Sequence, residues 1–148
     1  LGINDVYLCA QRDNTIIGGV SMSERFVPQG ELVVVDRETG LMWQRGVSSD
    51  RMVWHDGFAY IEKLNRENFA GYRDWRFPTK EEMASLLLPE EDRHTGTYTS
   101  PLFGSQRCFW TATQAGHHKA CYVDFYYGGV YVFDENYANH FMRAVRSA

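Results

Sequence analysis

The residue types that could do chemistry in this chain crowd toward its C-terminal third. They are two of its three cysteines, Cys108 and Cys121, an adjacent histidine pair, His117-His118, and the run Asp134-Glu135-Asn136-Tyr137-Ala138-Asn139. A dense set of aromatics lies between residues 122 and 137. Thiols that act as nucleophiles or redox groups need a lowered pKa, and no sequence feature argues for one at Cys108 or Cys121. The pair could face each other across a hairpin and form a disulfide in an oxidising compartment, or stand as free, partly buried thiols. Cys9 leaves the count odd, and no cysteine sits in a Cys-x-x-Cys or at zinc-ligand spacing from histidine. Neighbouring histidines on an extended chain point to opposite faces, and no acid is close in sequence. His117-His118 therefore reads as a polar hairpin tip. His55, His94 and His140 stand alone. The oxygens of 134–139 are ordinary turn chemistry, although a calcium ligand set is the alternative reading. No phosphate-binding glycine loop and no Gly-x-Ser-x-Gly elbow is present. No cofactor is expected.

The aromatics carry the best candidate for function, and a hairpin must position them. The Gly128-Gly129 pair predicts a two-residue primed turn, setting Tyr126 opposite Tyr131 and Asp124 opposite Phe133. One face then holds Val123, Phe125, Val130 and Val132, a core-like set. The other holds Tyr122, Asp124, Tyr126, Tyr131 and Phe133, continued by Asp134, Asn136, Tyr137 and Asn139 in the next loop. Tyrosine offers large contact area at low entropic cost, and aromatic faces stack on sugars. These nine residues are the expected ligand-binding set. The competing expectation is that the aromatic face packs beneath a loop or against a sister chain.

The alternation places the hairpin in an antiparallel sheet of four strands, 108–112, 120–127, 130–134 and 140–146. Upstream, Leu32-Val33-Val34-Val35 reads as a buried strand, Asp36–Gly40 as a turn and Leu41–Gln44 as the returning strand. A helix is expected from about His55 to Arg66, with Phe58, Ile61 and Leu64 inward and Gly71 marking its end. Pro78 stops regular structure, and Thr79 with Glu82 forms a capping box. A second helix follows from Lys80, turning Met83, Leu86 and Leu87 inward until Pro89. Arg73, Asp74 and Arg76 should tie this corner by charged hydrogen bonds.

At 148 residues, 15% aromatic and 23% charged, the chain has the size and composition of one packed domain. A net charge of -4 gives no footprint for a nucleic-acid backbone. No apolar run approaches the roughly 18 residues of a membrane span. The domain is expected over residues 26–148. Residues 1–25 read as an N-terminal extension or the remnant of an upstream region, with the chain part of a larger multidomain protein.

Four motifs then occur in a telling order: Gly40-Leu41-Met42-Trp43-Gln44, Gly71-Tyr72-Arg73-Asp74-Trp75-Arg76-Phe77-Pro78-Thr79, Phe109-Trp110-Thr111-Ala112 and Arg143-Ala144-Val145-Arg146. Together they resemble the Lcl C-terminal domain family over roughly residues 26–147. Phe77 stands where leucine is usual, and Thr111-Ala112-Thr113 replaces a serine-rich run. The Trp-Arg-x-Pro-Thr corner and the closing Arg-x-Val-Arg are also similar to formylglycine-generating enzymes and the C-type-lectin-like fold. The resemblance implies an α+β domain with two helices and a twisted antiparallel sheet, and a ligand surface built from late loops and strands. Family members occur in secreted bacterial adhesins, one type of which binds sulfated glycans as a trimer, and beside signalling modules. Some proteins of this fold are variable targets of diversity-generating retroelements. The implied function is non-catalytic recognition of a protein or carbohydrate ligand, with a homo-oligomer possible. A copper-dependent thiol oxidase and a structural or oligomerising module are the alternatives. Scattered arginines and net acidity disfavour a sulfated ligand. The compartment stays open.

Overall fold

Val33-Val34-Val35-Asp36 and Leu41-Met42-Trp43-Gln44 are joined by a turn that Asp36 organises. Its carboxylate accepts from the Glu38 N–H (3.0 Å) and the Thr39 hydroxyl (2.9 Å), while Gly40 takes a positive φ of 73°. The computed structural model describes residues 16–17 and 20–148, with side chains from Glu24 onward. Its first described elements are a two-residue pairing, β1 (Ile16–Ile17) with β2 (Val20–Ser21), and a single helical turn, α1 (Met22–Arg25). The first larger sheet has the order β3 (Phe26–Gln29), β4 (Val33–Asp36), β5 (Leu41–Gln44) and β9 (Val145–Ser147), all antiparallel. The second contains β6 (Cys108–Gln114), β7 (Lys119–Asp124) and β8 (Gly129–Asp134), also antiparallel. Two helices, α2 (Trp54–Arg66) and α3 (Lys80–Ala84), complete an α+β architecture.

The fourth expected strand, 140–146, does not join the hairpin sheet. His140 and Phe141 make single bridges to Met52 and Phe109, and the chain then crosses to pair as β9 with β5. Met142, Arg143, Ala144 and Val145 are all buried in succession. A strand with one solvated face would alternate, so this run belongs between layers.

Helix α2 begins one residue earlier than expected, and its buried stripe is Trp54, Gly57, Ile61 and Leu64. Phe58 sits at the margin, 44% exposed, with its ring against Trp54 and Phe77. Gly57 takes the inward place because a Cβ there would lie 2.9 Å from both Met142 Sδ and the Phe77 ring. The helix ends at Arg66, and left-handed Asn68 (φ 56°) turns the chain rather than Gly71. Gly71 (φ 89°) closes a separate 3-10 turn, Phe69–Gly71.

The expected capping box is present. Thr79 Oγ1 accepts from the Glu82 N–H, and the Glu82 carboxylate accepts from the Thr79 N–H. The helix is shorter than predicted, since Ser85 to Leu87 tighten into i→i−3 bonds, yet Met83 and Leu86 are fully buried as expected. The corner before it joins the two sheets. Arg76 and Val145 exchange backbone bonds, Ala112 donates to the Pro78 carbonyl, and the Asn65 amide clamps both backbone groups of Trp75. Arg76 grips Glu82 with two bonds of 2.7 Å. Asp74 reaches across to Arg146 (2.6 and 3.2 Å), and Arg73 bonds the Asn68 side chain.

Arg143 is a buried charge in the core. It donates to the carbonyls of Gly46, Arg45 and Phe103, and its guanidinium lies 4.8 Å from the ring centres of Phe103 and Phe109. Burial lowers its pKa to about 9.

Candidate functional site

The hairpin β7–β8 pairs in a register different from the one expected. Tyr122 stands opposite Tyr131, Ala120 opposite Phe133, and Asp124 opposite Gly129. The turn therefore spans four residues, Phe125 to Gly128, in place of the Gly128-Gly129 tip. Asp124 is the cause. Its Oδ1 accepts from the N–H groups of Tyr126 (2.8 Å) and Tyr127 (3.1 Å), and Gly128 (φ 79°) donates to its carbonyl. A buried Asx turn outcompetes the two-residue loop. The shift is an even number of residues, so the two side-chain sets of the strands keep their faces.

Tyr122 and Tyr131 form a row with two partners the hairpin does not contain. The rings run Trp110, His140, Tyr122, Tyr131, with successive centroids 4.5, 4.2 and 5.8 Å apart. Trp110 is fully buried and Tyr131 is 40% exposed, so the row leads from core to surface. His140 Nε2 is buried without a hydrogen-bond partner. Burial pushes that imidazole down to about 4, which keeps it neutral. Burial also raises the Tyr122 hydroxyl, aided by the neighbouring Cys108 and Asp124.

Phe133 shares the face of Tyr131 and is 50% exposed, while Tyr126 in the turn is 53% exposed and Tyr137 in the following loop 80%. Asn136 and Asn139 are exposed; Asp134 is half-buried and accepts from the Asn136 N–H (2.8 Å). Asp124 differs. It is buried, and its oxygens serve Arg107 (2.9 and 3.1 Å) as well as the turn. It shapes the surface from beneath. Val130 and Val132, expected in the core, are also exposed, because β8 is the edge of its sheet. Seven of the nine candidates thus lie on β8, itself roughly 17 Å long, or in the turn and loop at its ends, while Tyr122 and the buried Asp124 sit on the middle strand β7. Two surface depressions, of about 370 Å³ beside Arg45 and about 230 Å³ beside Tyr72, contain none of them.

Two further groups belong to this edge. Arg107 stacks 4.9 Å from Tyr126 and 4.5 Å from Tyr127, holding the turn aromatics outward. Glu135, buried at the base of the 135–139 loop, bonds His55 Nε2 (3.0 Å) and Gln114 Nε2 (3.4 Å), with His118 Nδ1 at 3.6 Å. Its carbonyl accepts from the Trp54 N–H, so it pins the loop to the start of α2. The acid missing near His117-His118 in sequence is thus supplied in space. No local spacing announces Arg107, Glu135 or His140 as partners, since each acts across long sequence separations. Among the described residues no group of three or more histidine, cysteine or acidic side chains is arranged to hold a metal ion.

Cys108 and Cys121 are free. Cys108 pairs with Asp124 and Cys121 with Val132, which sets the two thiols on opposite faces of the sheet. Burial, and then the Asp124 charge, push the Cys108 thiol up to about 11, away from an activated thiolate.

The Lcl C-terminal domain model matches residues 32–146, which is most of the chain. The chain belongs to the Lcl C-terminal domain family. All four motifs that carried the resemblance fall within the matched span. In this Lcl C-terminal domain they are structural: Trp43 and Trp110 are fully buried, the 71–79 corner stitches the sheets, and Arg143 sits in the core. No curated protein matches the chain. No helix among the described residues is long and apolar enough to cross a membrane.

Proposed function

We propose that this Lcl C-terminal domain is a non-catalytic recognition module of C-type-lectin-like type within a larger protein. Its ligand is a protein or a carbohydrate, held along the β7–β8 hairpin and the 135–139 loop. The observation that carries this reading is the exposure of Tyr126, Tyr131, Phe133 and Tyr137 together on one edge, above side chains that are rigidly tied. Surface aromatics cost free energy in water, and a cluster of them marks a place where something docks. Asn136, Asn139 and Asp134 beside them supply hydrogen bonds for orientation. The raised Cys108 thiol supports recognition over the thiol-oxidase alternative.

The test is a glycan array together with a peptide-display selection, run on the wild type and on Tyr131→Ala, Phe133→Ala and Tyr137→Ala. A ligand lost in these variants and kept in Leu32→Ala, an exposed apolar residue elsewhere, supports the assignment. A ligand retained by all three hairpin variants overturns it. Diversification by a retroelement is a narrower form of the same reading. It requires a near-duplicate template repeat of the 108–139 coding segment, differing only at adenines.

A further inference from the structure

The faces of β8 offer aromatic side chains, but its outer edge offers backbone. The bond from the Glu135 N–H to the His118 carbonyl (3.0 Å) continues the β7–β8 ladder by one pair. Hydrogen-bonded pairs alternate along an antiparallel ladder, so Gly129, Tyr131 and Phe133 turn their N–H and C=O groups toward β7. Val130, Val132 and Asp134 turn theirs outward. The Asp134 carbonyl is taken by the Tyr137 and Ala138 N–H groups at 3.4 and 3.3 Å. Among the described residues no strand pairs with the outer side of β8. Edge strands are normally guarded by lysine, proline, a bulge or shortness, and Gly129-Val130-Tyr131-Val132-Phe133-Asp134 has none of these.

We propose that this edge pairs antiparallel with β8 of a second copy of the chain, about a two-fold axis through Val132. That register is favoured by the strand itself. Val132 meets Val132 of the second copy as an outward-facing, hydrogen-bonded pair. Tyr131 then stands opposite Phe133 of the second copy, and Phe133 opposite its Tyr131, in the closer non-hydrogen-bonded positions where aromatic pairs contribute most. Asp134 falls opposite Val130, so no like charges oppose each other. Moving the axis two residues toward the C-terminus sets Asp134 against Asp134, which repels. Moving it two residues the other way aligns Val132 with Gly128 in the turn and loses half the ladder. The Val132 axis also brings the turn carrying Tyr126 and Tyr127 beside the loop of the second copy that carries Tyr137. Two three-stranded sheets become one of six strands. Its aromatic face is continuous across the axis, so this pairing goes beyond the recognition reading and does not depend on it.

Sedimentation velocity at tens of micromolar is the test. The wild type should sediment as a dimer. Val132→Pro removes an outward N–H, and Val132→Lys places paired charges on the axis; each should raise the dimer Kd by more than about tenfold. Near-UV circular dichroism checks that both variants keep the fold. Hydrogen exchange supplies a readout independent of mutation, with the Val130 and Val132 amides slowing as protein concentration rises. A wild type that stays monomeric, a dimer indifferent to both variants, or a trimer would overturn the proposal. Ligand capture by a strictly monomeric wild type would leave recognition standing and remove only the pairing.

Discussion

Two valine-rich strands ending in aspartate, Val33-Val34-Val35-Asp36 and Val130-Tyr131-Val132-Phe133-Asp134, read alike and fold into opposite circumstances. β4 lies between β3 and β5, with Val33, Val34 and Asp36 buried. β8 has one neighbour, and its four central residues are 39–50% exposed. The two aspartates diverge accordingly. Burial alone would raise Asp36, but two hydrogen bonds of 2.9 Å from Arg25, that charge, and the Thr39 and Glu38 donors hold it below its ordinary value. Asp134 merely caps the next turn. Interior strands are specified by complementary partners, and an edge strand is left free to meet something else.

Breaking the buried pair under β4 should have the largest effect. Asp36→Ala removes the two short bonds to enclosed Arg25, leaving it the Ser85 carbonyl and Glu38 at 3.6 Å, and should cost about 3–5 kcal/mol in urea denaturation. A small loss would mean that Arg25 reaches solvent by repacking, and that β4 is less enclosed than its geometry states. Gly57→Ala forces a methyl to within 2.9 Å of Met142 and Phe77, both of them buried. A loss of roughly 1–3 kcal/mol is expected from overpacking.

The sharpest contrast is one substitution made in both strands. Val34→Ala should lose roughly 2 kcal/mol, for two buried carbons and the cavity they leave. Val132→Ala, measured on dilute protein, should stay within about 0.5 kcal/mol of wild type. Equal losses would show that something covers β8 in the working molecule.

The last test is a pH dependence on the row of rings that links core to edge. The His140 pKa is depressed in the fold to about 4 against an ordinary 6.5, so the unfolded chain binds a proton first. The His140 contribution is intact above pH 6.5 and is lost progressively as pH falls toward 4. In His140→Phe, thermal unfolding followed from pH 7 to pH 4 should lose that part of the slope. An unchanged slope would place the acid sensitivity elsewhere.

Much of the fold was legible because its signals are local. Thr79 and Glu82 are three residues apart, and a capping box needs nothing else. The β4–β5 turn is organised by Asp36 within four residues. Face membership in the β7–β8 hairpin survived a wrong turn length, because alternation depends only on parity. Three features escaped, one because two local turns compete and two because they depend on distant partners. The turn length was set by the choice of Asp124 to bond its own backbone. The destination of 140–146 was set by which sheet had an open place beside β5. Gly57 rather than Phe58 faces inward because Met142 and Phe77 arrive from elsewhere in the chain.

The candidate surface divides in the same way. Periodicity alone places Tyr122, Tyr131 and Phe133 on one face. Their exposure, the burial of Asp124, and the support from Arg107, Glu135 and His140 depend on contacts between distant residues, 80 positions apart for His55 and Glu135. Sequence alone determined the capping box, the β4–β5 turn, the parity of the hairpin strands and the family, because periodicity, caps and turn residues act within a few positions. Only the tertiary structure decided which valine strand lies inside and which at the edge. Burial belongs to a strand's neighbours, and one strand's sequence does not contain them.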